Sequence, residues 1–473
     1  MLRNGGSIKL TEVPRFEYAD FRDNAIAQLY LGQRIATWFA SDDDLYMILA
    51  DDASGILQPM VTRREEVWQS LAREFPQTGV FERELAEDAG VLIKNSPWQK
   101  PLRKLQDEYD FYRVGGEGIH EVGVGPVHAG VIEPGHFRFQ CHGETVLNLE
   151  ITLGYQHRGI EKRLVGMPDQ RTIHYMETAA GDTTVGHTTA YSMISEALSG
   201  MAPEPEALKL RALALELERL ACHTGDLGAI AGDVGFLPTM SFCGRLRGDF
   251  LNLTALLCGN RFSRGLVRPG GVGVAVNREI LEELRERLNK IFADTKNAVS
   301  LLWNTPSVLA RLELCGILPA SVARQLGVVG VTARAAGLER DVRDNFTVQN
   351  LAHRTITGKH GDVYARARVR WFEIKNSREI ILRLIDELSA VKPANDELKT
   401  RPDRLSVALV EGWRGEICHA AITDSDGRFK RYKIVDPSFH NWAALAYVLR
   451  NGQISNFPLC NKSFNLSYCG HDL

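Results

Sequence analysis

The hydrophobic pattern of this chain changes at a glycine-rich segment, Arg113–Gly118, and this change constrains the fold most strongly. Three glycines in six residues and few apolar side chains are typical of a flexible linker. Short helical and strand-like periods precede the segment, whereas longer helical periods dominate after it. The sequence therefore predicts an α+β protein with a small N-terminal α/β domain, residues 1–115, and a mainly helical large domain with antiparallel β hairpins, residues 116–473.

Periodicity and turn residues place the individual elements. In the N-terminal domain the predicted helices are 24–39, 63–75 and 81–91, and the predicted strands are 45–50 and 55–61. In the large domain a hairpin over 137–151 precedes helices at 168–198, 205–230, 245–258, 278–303 and 377–388, and strands follow at 405–410, 417–422 and 431–435. The C-terminal tail is expected to be strand-like, with apolar contacts from Phe457, Leu459, Phe464 and Leu466.

Bulk properties argue against several functional classes. A net charge of -3 over 473 residues offers no electrostatic attraction for nucleic acid or anionic lipid. No run approaches the roughly 20 apolar residues of a membrane span, and the first residues lack a signal-peptide core, so a cytoplasmic location is expected. The sequence contains no glycine-rich nucleotide-binding motif and no catalytic serine or cysteine signature.

The eight cysteines are scattered along the chain, and the closest two, Cys460 and Cys469, are nine residues apart. Zinc and iron-sulfur sites usually draw on closely spaced cysteine pairs, and no CxxC motif is present. Most of the cysteines are therefore predicted to be small buried residues in a reducing compartment.

Two segments resemble the metal-binding motifs of nickel-iron hydrogenase large subunits but lack the cysteines of those motifs. Residues 177–191 resemble the first motif, Cys-Gly-x-Cys-x-x-x-His, and residues 463–473 resemble the second, Asp-Pro-Cys-x-x-Cys. The four cysteine positions are occupied here by Ala180, Thr183, Ser467 and Gly470. Nickel and low-valent iron need thiolate donors. The resemblance therefore implies that the ligand set is degenerate and that this chain binds no metal.

Further motifs extend the resemblance over the large domain. In chain order they are Gly125–His128, Pro134–Phe139, Leu153–Lys162, Glu218–His223, Arg268–Val272, Glu411–Glu416 and Asp436–Phe439. Residues 119–473 are similar throughout to the fold shared by hydrogenase large subunits and the 49-kDa-type subunit of complex I. The acidic segment 81–91 resembles the 30-kDa-type subunit of complex I. The fused order is that of the formate hydrogenlyase large subunit and of energy-converting hydrogenases.

The resemblance implies roles for several polar residues. In complex I the loop that matches residues 125–139 forms part of a quinone cavity, so a histidine of this loop would hydrogen-bond a quinone and a buried aspartate would recharge it. Arg414 matches the arginine that hydrogenases hold above the open metal coordination site. His187 matches a histidine that donates to a metal-ligating thiolate. The predicted catalytic residues are His136, Asp233 and Arg414, and the predicted cavity residues are His128, Gly181, His187 and Asp472.

Structural roles compete with these assignments. The alternatives are that Arg414 braces a β-turn and that His187 is a satisfied core histidine. A histidine in a β-loop is more often a surface or core residue than a ligand. Gly181 lies where complex I has a tyrosine on the first helix, and Asn465 replaces an aspartate expected beside the arginine. The segment His157–Glu161 is predicted to be a structural ion-pair network.

The resemblance implies a subunit of a membrane-associated complex I-like or energy-converting-hydrogenase-related oxidoreductase complex, without hydrogen chemistry in this chain. The expected partners are a small iron-sulfur subunit similar to the 20-kDa-type subunit of complex I, which holds a [4Fe-4S] cluster, and antiporter-like membrane subunits. The chain would lie peripherally on the inner face of the cell membrane and form a cavity, with a quinone as a candidate ligand. Two alternatives stay open: a non-redox structural and coupling scaffold, and a hydrogenase large subunit in name only.

Overall fold

The computed structural model describes residues 1–103, 109–130, 132–346, 353–394 and 398–473. These residues combine long helices with antiparallel sheets, and this confirms the predicted α+β fold class. Val131, which belongs to the predicted quinone loop, lies outside the described residues.

The N-terminal part is built on a five-stranded sheet. Its antiparallel strands lie in the order Leu2–Arg3, Ile56–Arg63, Asp44–Asp51 and Arg34–Ser41, and Arg15–Phe16 pairs in parallel with Ile56–Arg63. Helices Tyr18–Tyr30 and Gly79–Ala89 share its apolar core, and Val67–Gln69 pairs in parallel with Leu92–Lys94. The predicted strands at 45–50 and 55–61 and the predicted helix at 81–91 are confirmed.

The predicted helix at 24–39 is wrong, because these residues form the end of one helix and then strand Arg34–Ser41. Gly32 separates the two elements in a left-handed conformation, with a φ of 92° that other residues rarely adopt. The strand is almost entirely buried on both faces. Its sequence therefore lacks the alternation that distinguishes a half-exposed strand from a helix.

The predicted helix at 63–75 is also wrong. These residues contain strand Val67–Gln69, and no helix begins until the 3-10 turn Pro76–Thr78. The buried Glu82 carboxylate accepts hydrogen bonds from Leu71 N (2.7 Å) and Ser70 Oγ (2.6 Å). The Leu71 backbone N–H is thus hydrogen-bonded by a side chain that lies later in the sequence. Local periodicity does not indicate such a contact.

The domain boundary at residue 115 stays a prediction, and strand pairing crosses it. Gly6–Lys9 completes a four-stranded antiparallel sheet whose other strands, in order outward, are Arg404–Glu411, Glu416–Thr423 and Phe429–Val435. The Asn4 side chain donates to Phe346 O and Leu409 O, both at 2.9 Å, and accepts from Leu409 N at 2.6 Å. The three predicted C-terminal strands are confirmed, but the first residues of the chain extend their sheet.

The middle of the chain consists of long packed helices. The principal helices are Pro205–Asp233, Leu237–Cys258, Arg278–Trp303 and Val363–Glu387, and shorter ones are Pro306–Leu312, Ala320–Gln325, Gly330–Ala335 and Val342–Asn345. The prediction for 278–303 is confirmed at both ends, and those for 205–230, 245–258 and 377–388 are confirmed with wider bounds. Asn277 caps the first turn of its helix by accepting from Ile280 N at 3.0 Å. No helix among the described residues has the length and apolar character needed to cross a membrane.

A three-stranded sheet precedes these helices. His136–His142 pairs with Thr145–Thr152, as the hairpin prediction expects, and also with Ile119–Val124. The region predicted as helical over 168–198 is interrupted, since the structure has helices Ile160–Leu164, Thr172–Glu177 and Thr184–Ser199. The break between the last two places residues 178–183 in a loop.

The C-terminal tail is helical, and the strand prediction for it is wrong. The helices are Pro437–Val448, Phe457–Phe464 and Tyr468–His471. Pro458 occupies the first turn of the middle helix, where a missing N–H costs nothing. The predicted apolar contacts are confirmed, because Phe457, Leu459, Phe464 and Leu466 are all buried in the core.

Candidate functional site

Two distant segments meet around Arg158. Its guanidinium donates to the carbonyls of Thr178 (2.6 Å) and Ala179 (2.7 Å) in the first motif segment and to Cys469 O (3.3 Å) in the second. The fold therefore brings the two motif segments together, as their resemblance to a binuclear ligand set implies. The set of Ala180, Thr183, Ser467 and Gly470 is called the motif site below.

Arg414 lies at the centre of this region and is almost fully buried. Its Nη1 and Nη2 donate to the two oxygens of Asp182 at 2.6 and 2.7 Å, and its Nε donates to Asn465 O at 2.6 Å. Burial opposes ionisation of Asp182, but Arg414 outweighs that effect and holds the pKa of the carboxyl below its ordinary value. This two-point ion pair fixes the guanidinium plane between the first motif, the Gly412–Gly415 turn and the tail.

The sequence did not identify Asp182 as a functional residue. It occupies the variable position between the two cysteine positions of the first motif, and its carbonyl also accepts a hydrogen bond from Trp413 Nε1 at 2.9 Å. An acidic residue at that position, together with the missing cysteines, is the signal that could have revealed a partner for Arg414.

The hydroxyl groups of the motif site already have partners within the chain. Thr183 Oγ1 donates to Asp182 Oδ1 at 3.1 Å and accepts from Arg414 Nη1 at 3.3 Å. Ser467 Oγ accepts from Gly470 N at 2.9 Å and caps the last helix. Ala180 is fully buried and offers only a methyl group. The four side chains thus provide no thiolate ligand, and the hydroxyl groups of Thr183 and Ser467 are hydrogen-bonded within the protein.

Gly470 is in close contact with a carboxylate. A Cβ atom built on it would lie 2.6 Å from Asp436 Cγ and 2.8 Å from Oδ2, which is closer than real Cβ atoms approach. Asp436 in turn accepts from Ser438 N at 2.8 Å and caps helix Pro437–Val448. Any side chain at position 470, cysteine included, would therefore have to displace a carboxylate that is already fixed.

His187 belongs to a buried polar chain that the sequence did not predict. Its Nε2 lies 3.2 Å from Asp436 Oδ2 and its Nδ1 lies 3.0 Å from His419 Nε2, while His419 Nδ1 lies 2.9 Å from Tyr432 Oη. Burial lowers the pKa of His419 well below the ordinary histidine value. His187 therefore has partners without any thiolate, and the chain connects strand Phe429–Val435 to the carboxylate behind Gly470.

Asp472, a predicted cavity residue, is fully buried beneath a loop. Its carboxylate accepts from Gly154 N (2.8 Å) and Gln156 N (2.9 Å), and it lies 2.9 Å from His471 Nδ1. Burial opposes ionisation, but the His471 hydrogen bond helps to lower the pKa of Asp472. This carboxylate holds the tail against residues 154–156, and its role in a cavity stays a prediction.

The neighbouring segment His157–Glu161 forms the structural ion-pair network that the sequence predicts. Its Glu161 pairs with Lys433 (2.9 Å) and Arg431 (3.0 Å), and His157 Nδ1 lies 3.0 Å from Asp472 O. Burial opposes ionisation of Glu161, but Lys433 and Arg431 lower its pKa to about 2. These contacts join the hairpin, the C-terminal sheet and the tail.

The histidines of the predicted quinone loop differ in their contacts. His128 Nε2 lies 2.7 Å from Gly135 O, so it closes its own loop. His136 is half-buried, and its side chain makes no hydrogen bond to the described residues. Burial, together with the positive charges of Lys100 and Arg138, lowers the pKa of His136. At neutral pH this imidazole is therefore neutral and accessible.

Asp233 is the last residue of helix Pro205–Asp233 and is exposed, so the expectation of a buried aspartate is wrong for this residue. Partial desolvation by its neighbours raises its pKa, and the Lys462 ammonium opposes that rise. The structure records no hydrogen bond or ion pair between Asp233 and His136, both of which it describes. The predicted relay between them stays a prediction.

Glu218 is a site residue that the sequence named only as part of a motif. Its carboxylate accepts from Val185 N (2.7 Å) and Gly186 N (3.3 Å) at the start of helix Thr184–Ser199. Burial raises the pKa of Glu218 to about 8, the two N–H groups oppose the rise, and the Asp182 charge adds to it. A cavity of about 10 Å³, the size of one water molecule, adjoins Glu218 and Asp182. A proton-carrying group thus lies beside the ion pair.

A larger cavity, about 280 Å³, lies elsewhere, between helices Thr184–Ser199 and Pro205–Asp233 and strand Arg404–Glu411. Apolar side chains such as Met193 and Leu215 line much of it. Neither His136 nor Asp233 adjoins it. Among the described residues, no three His, Cys, Asp or Glu side chains are grouped so that they could hold a metal ion.

Replacing Gly470 by alanine should destabilise the chain, because the new methyl group would overlap Asp436. Overpacking of this kind costs roughly 1–3 kcal/mol, measured as a lower urea midpoint at unchanged slope. Gly181→Ala is the matched control, since a Cβ there meets no atom within 4 Å. It should change stability by less than about 0.5 kcal/mol. Equal losses in the two variants would contradict the steric argument.

The raised pKa of Glu218 predicts a specific pH dependence. Between the ordinary value of 4.5 and the folded value of about 8, the folded chain retains a proton that the unfolded chain has lost. The unfolding free energy should therefore fall as pH rises through this window and level off above it. Glu218→Gln, which is permanently neutral, should lose less stability over the same range in melting experiments. The exposed Glu286→Gln variant is the control, and identical profiles for Glu218→Gln and wild type would disprove the assignment.

Comparison with known proteins places these observations in a family. Residues 233–406 match the family described as respiratory-chain NADH dehydrogenase, 49 Kd subunit. The carbon monoxide-induced hydrogenase of Rhodospirillum rubrum is 29% identical over 73% of this chain and 97% of its own length. Formate hydrogenlyase subunit 5 of Escherichia coli is 27% identical over 78% and 66%, and NADH-quinone oxidoreductase subunit 4 of Thermus thermophilus is 28% identical over 71% and 90%. The chain therefore contains a domain of the NADH dehydrogenase 49-kDa subunit family and is homologous to subunits of hydrogenase, formate hydrogenlyase and NADH-quinone oxidoreductase complexes.

Proposed function

We propose that this complex I-like or energy-converting-hydrogenase-type subunit works without a nickel-iron centre. The observation that carries the proposal is the set of contacts made by Arg414, which pairs with Asp182 in the first motif segment and donates to Asn465 O in the second. Both the arginine and the polar atoms of the motif site are used by the protein itself. The residues present therefore do not fit the metal centre of the hydrogenase relatives.

The donor chemistry supports the same conclusion. A methyl group, two hydroxyls and a glycine stand where four thiolates would be needed, and nickel and low-valent iron bind soft anionic sulfur. Cys469 is near the site, but burial raises the pKa of its thiol, so the thiolate is disfavoured. A single thiol cannot hold two metals. A side chain at position 470 would also collide with Asp436, so replacing Gly470 by cysteine would not by itself create a metal ligand.

The proposed role is to position and conduct protons beside electrons that a partner supplies. A small iron-sulfur subunit with a [4Fe-4S] cluster is the proposed electron donor. Antiporter-like membrane subunits are the proposed partners to which the proton transfer is coupled. Glu218, which keeps its proton near neutral pH, and the chain from Asp436 through His187 to His419 are the groups suited to that task. The chain would lie peripherally on the inner face of the membrane. The names of the relatives, which include hydrogenases and quinone oxidoreductases, support this setting.

A quinone is the proposed small acceptor, with His136 as its hydrogen-bonding partner. This side chain is half-buried, neutral and without a hydrogen bond to the described residues, so it can donate to a carbonyl oxygen without breaking a contact. Asp233 would return a proton to His136 only if the bound ligand or water connected the two side chains. A structural scaffold without redox chemistry is the competing function, and the contacts of His128 and Asp472 favour it locally.

Elemental analysis of the chain, purified with its partner subunits, tests the first proposal. Nickel should be far below one atom per chain and hydrogen uptake should be absent, because no thiolate ligand set is available. A nickel-containing relative purified by the same procedure provides the positive control. About one nickel atom per chain would refute the proposal.

Titration of the purified complex with a soluble quinone tests the second proposal. His136→Ala should reduce quinone-dependent electron transfer by about a hundredfold, the usual effect of removing a positioned proton donor, while the melting temperature stays unchanged. His120→Ala, on the exposed face of the adjacent strand, is the matched control. Unchanged turnover in His136→Ala would leave the scaffold as the function.

A further inference from the structure

Two cysteines that the proposed function does not involve lie side by side. Cys315 follows helix Pro306–Leu312, and Cys460 lies within helix Phe457–Phe464. Their sulfur atoms are 3.7 Å apart, close to van der Waals contact. Both cysteines are buried, and Cys315 is the more exposed of the two, at 7% against 1% for Cys460. The loop around Cys315 lies at the surface, since Leu314 is largely exposed.

A buried arginine lies beside these thiols and has one unused donor. Arg366 Nε donates to Ser463 Oγ at 2.9 Å, and Nη1 donates to Gly361 O at 2.6 Å and Gly316 O at 3.1 Å. Its Nη2 is buried without a hydrogen-bond partner. A Cβ placed on Gly316 would lie 2.6 Å from Cys460 Sγ and 3.1 Å from that Nη2, so the sulfur and the guanidinium flank the same glycine. The positive charge of Arg366 favours the thiolate form of either cysteine.

The electrostatic surroundings favour a thiolate on Cys315. The hydrogen bond from Cys460 lowers the pKa of Cys315 to about 7, burial opposes this effect, and Arg366 and Arg311 add to it. Asp362 is the acidic group near the pair, and its charge acts in the opposite direction. A thiol that ionises near neutral pH reacts far faster with oxidants than an ordinary buried cysteine.

We propose that Cys315 and Cys460 form a redox-active dithiol that hydrogen peroxide converts into a disulfide. The Cys315 thiolate attacks one peroxide oxygen, the oxygen–oxygen bond breaks, and the departing hydroxide takes a proton to become water. The Cys460 sulfur then attacks the resulting sulfenic acid, the sulfur–sulfur bond forms, and a second water leaves. Two thiols are oxidised and one peroxide is reduced to two waters.

The location gives this reaction a consequence for the motif site. Helix Phe457–Phe464 leads directly into Asn465, whose carbonyl accepts from Arg414 and whose amide donates to Asp226 Oδ1 at 2.6 Å. Bond formation requires the sulfurs to approach from 3.7 Å to about 2.05 Å, a shift within reach of a surface loop. The disulfide would cross-link the tail to the loop after helix Pro306–Leu312 and restrain the segment that holds Arg414.

The test uses the full chain in its complex, treated briefly with hydrogen peroxide, then unfolded and labelled with a maleimide. Two of the eight thiols should be lost, and peptide mass spectrometry should find the peptides of Cys315 and Cys460 joined with the loss of two hydrogen atoms. Cys315→Ser and Cys460→Ser should each abolish the cross-link. Cys141→Ser, a buried cysteine on the β hairpin, should retain it.

Hydrogen exchange gives a second measurement that needs no variant. Peptides from residues 457–473 should exchange several-fold more slowly after oxidation and return to the original rate after reduction by dithiothreitol. The proposal is overturned if all eight thiols stay labelled, if another pair is joined, or if Cys315 becomes a sulfinic acid without a cross-link. None of these readouts depends on nickel content or quinone turnover, so they separate this proposal from the proposed function.

Discussion

The ion pair between the buried Arg414 and the partly exposed Asp182 organises the candidate site. A guanidinium that is 7% exposed must be neutralised and fully hydrogen-bonded, or its burial costs several kcal/mol. Asp182 supplies the charge, Asn465 O accepts from Nε, and the Trp413 ring lies 4.0 Å from the guanidinium carbon. Because these partners come from the first motif, the turn and the tail, the three segments have only one arrangement that satisfies the arginine.

In metalloproteins a bound ion often cross-links ligands from distant parts of the chain. In this chain, hydrogen bonds and ion pairs between protein atoms connect the two motif segments to each other and to the Gly412–Gly415 turn. Asp436 illustrates this, since it caps a helix, lies 3.2 Å from His187 Nε2 and packs against Gly470. Charge and shape at the motif site are mutually consistent, since Thr183 and Ser467 are hydrogen-bonded within the chain and Gly470 leaves room for Asp436.

The sequence predicted the elements that periodicity controls and missed those that long-range contacts control. Helix Arg278–Trp303 has an Asn cap and an apolar stripe, and both of its ends were predicted. Strand Arg34–Ser41 is buried on both faces and was mistaken for a helix. The four positions of the motif site were identified from the resemblance to the hydrogenase motifs. The contacts of Asp182 with Thr183 and of Asp436 with Gly470 were not predicted, because a motif specifies residues along the chain and not the carboxylates that folding places beside them.

The pairing of Gly6 with Val407 has a consequence for the order of events during synthesis. Strand Gly6–Lys9 leaves the ribosome early, but its partner strand emerges only after most of the chain has been made. Until then its backbone donors and acceptors on that side must stay hydrated or be shielded by a chaperone, since an unpaired strand edge invites association with other chains. The N-terminal part therefore reaches its final state late in translation, and a ribosome that stalls before residue 404 leaves an exposed edge for quality-control factors to bind.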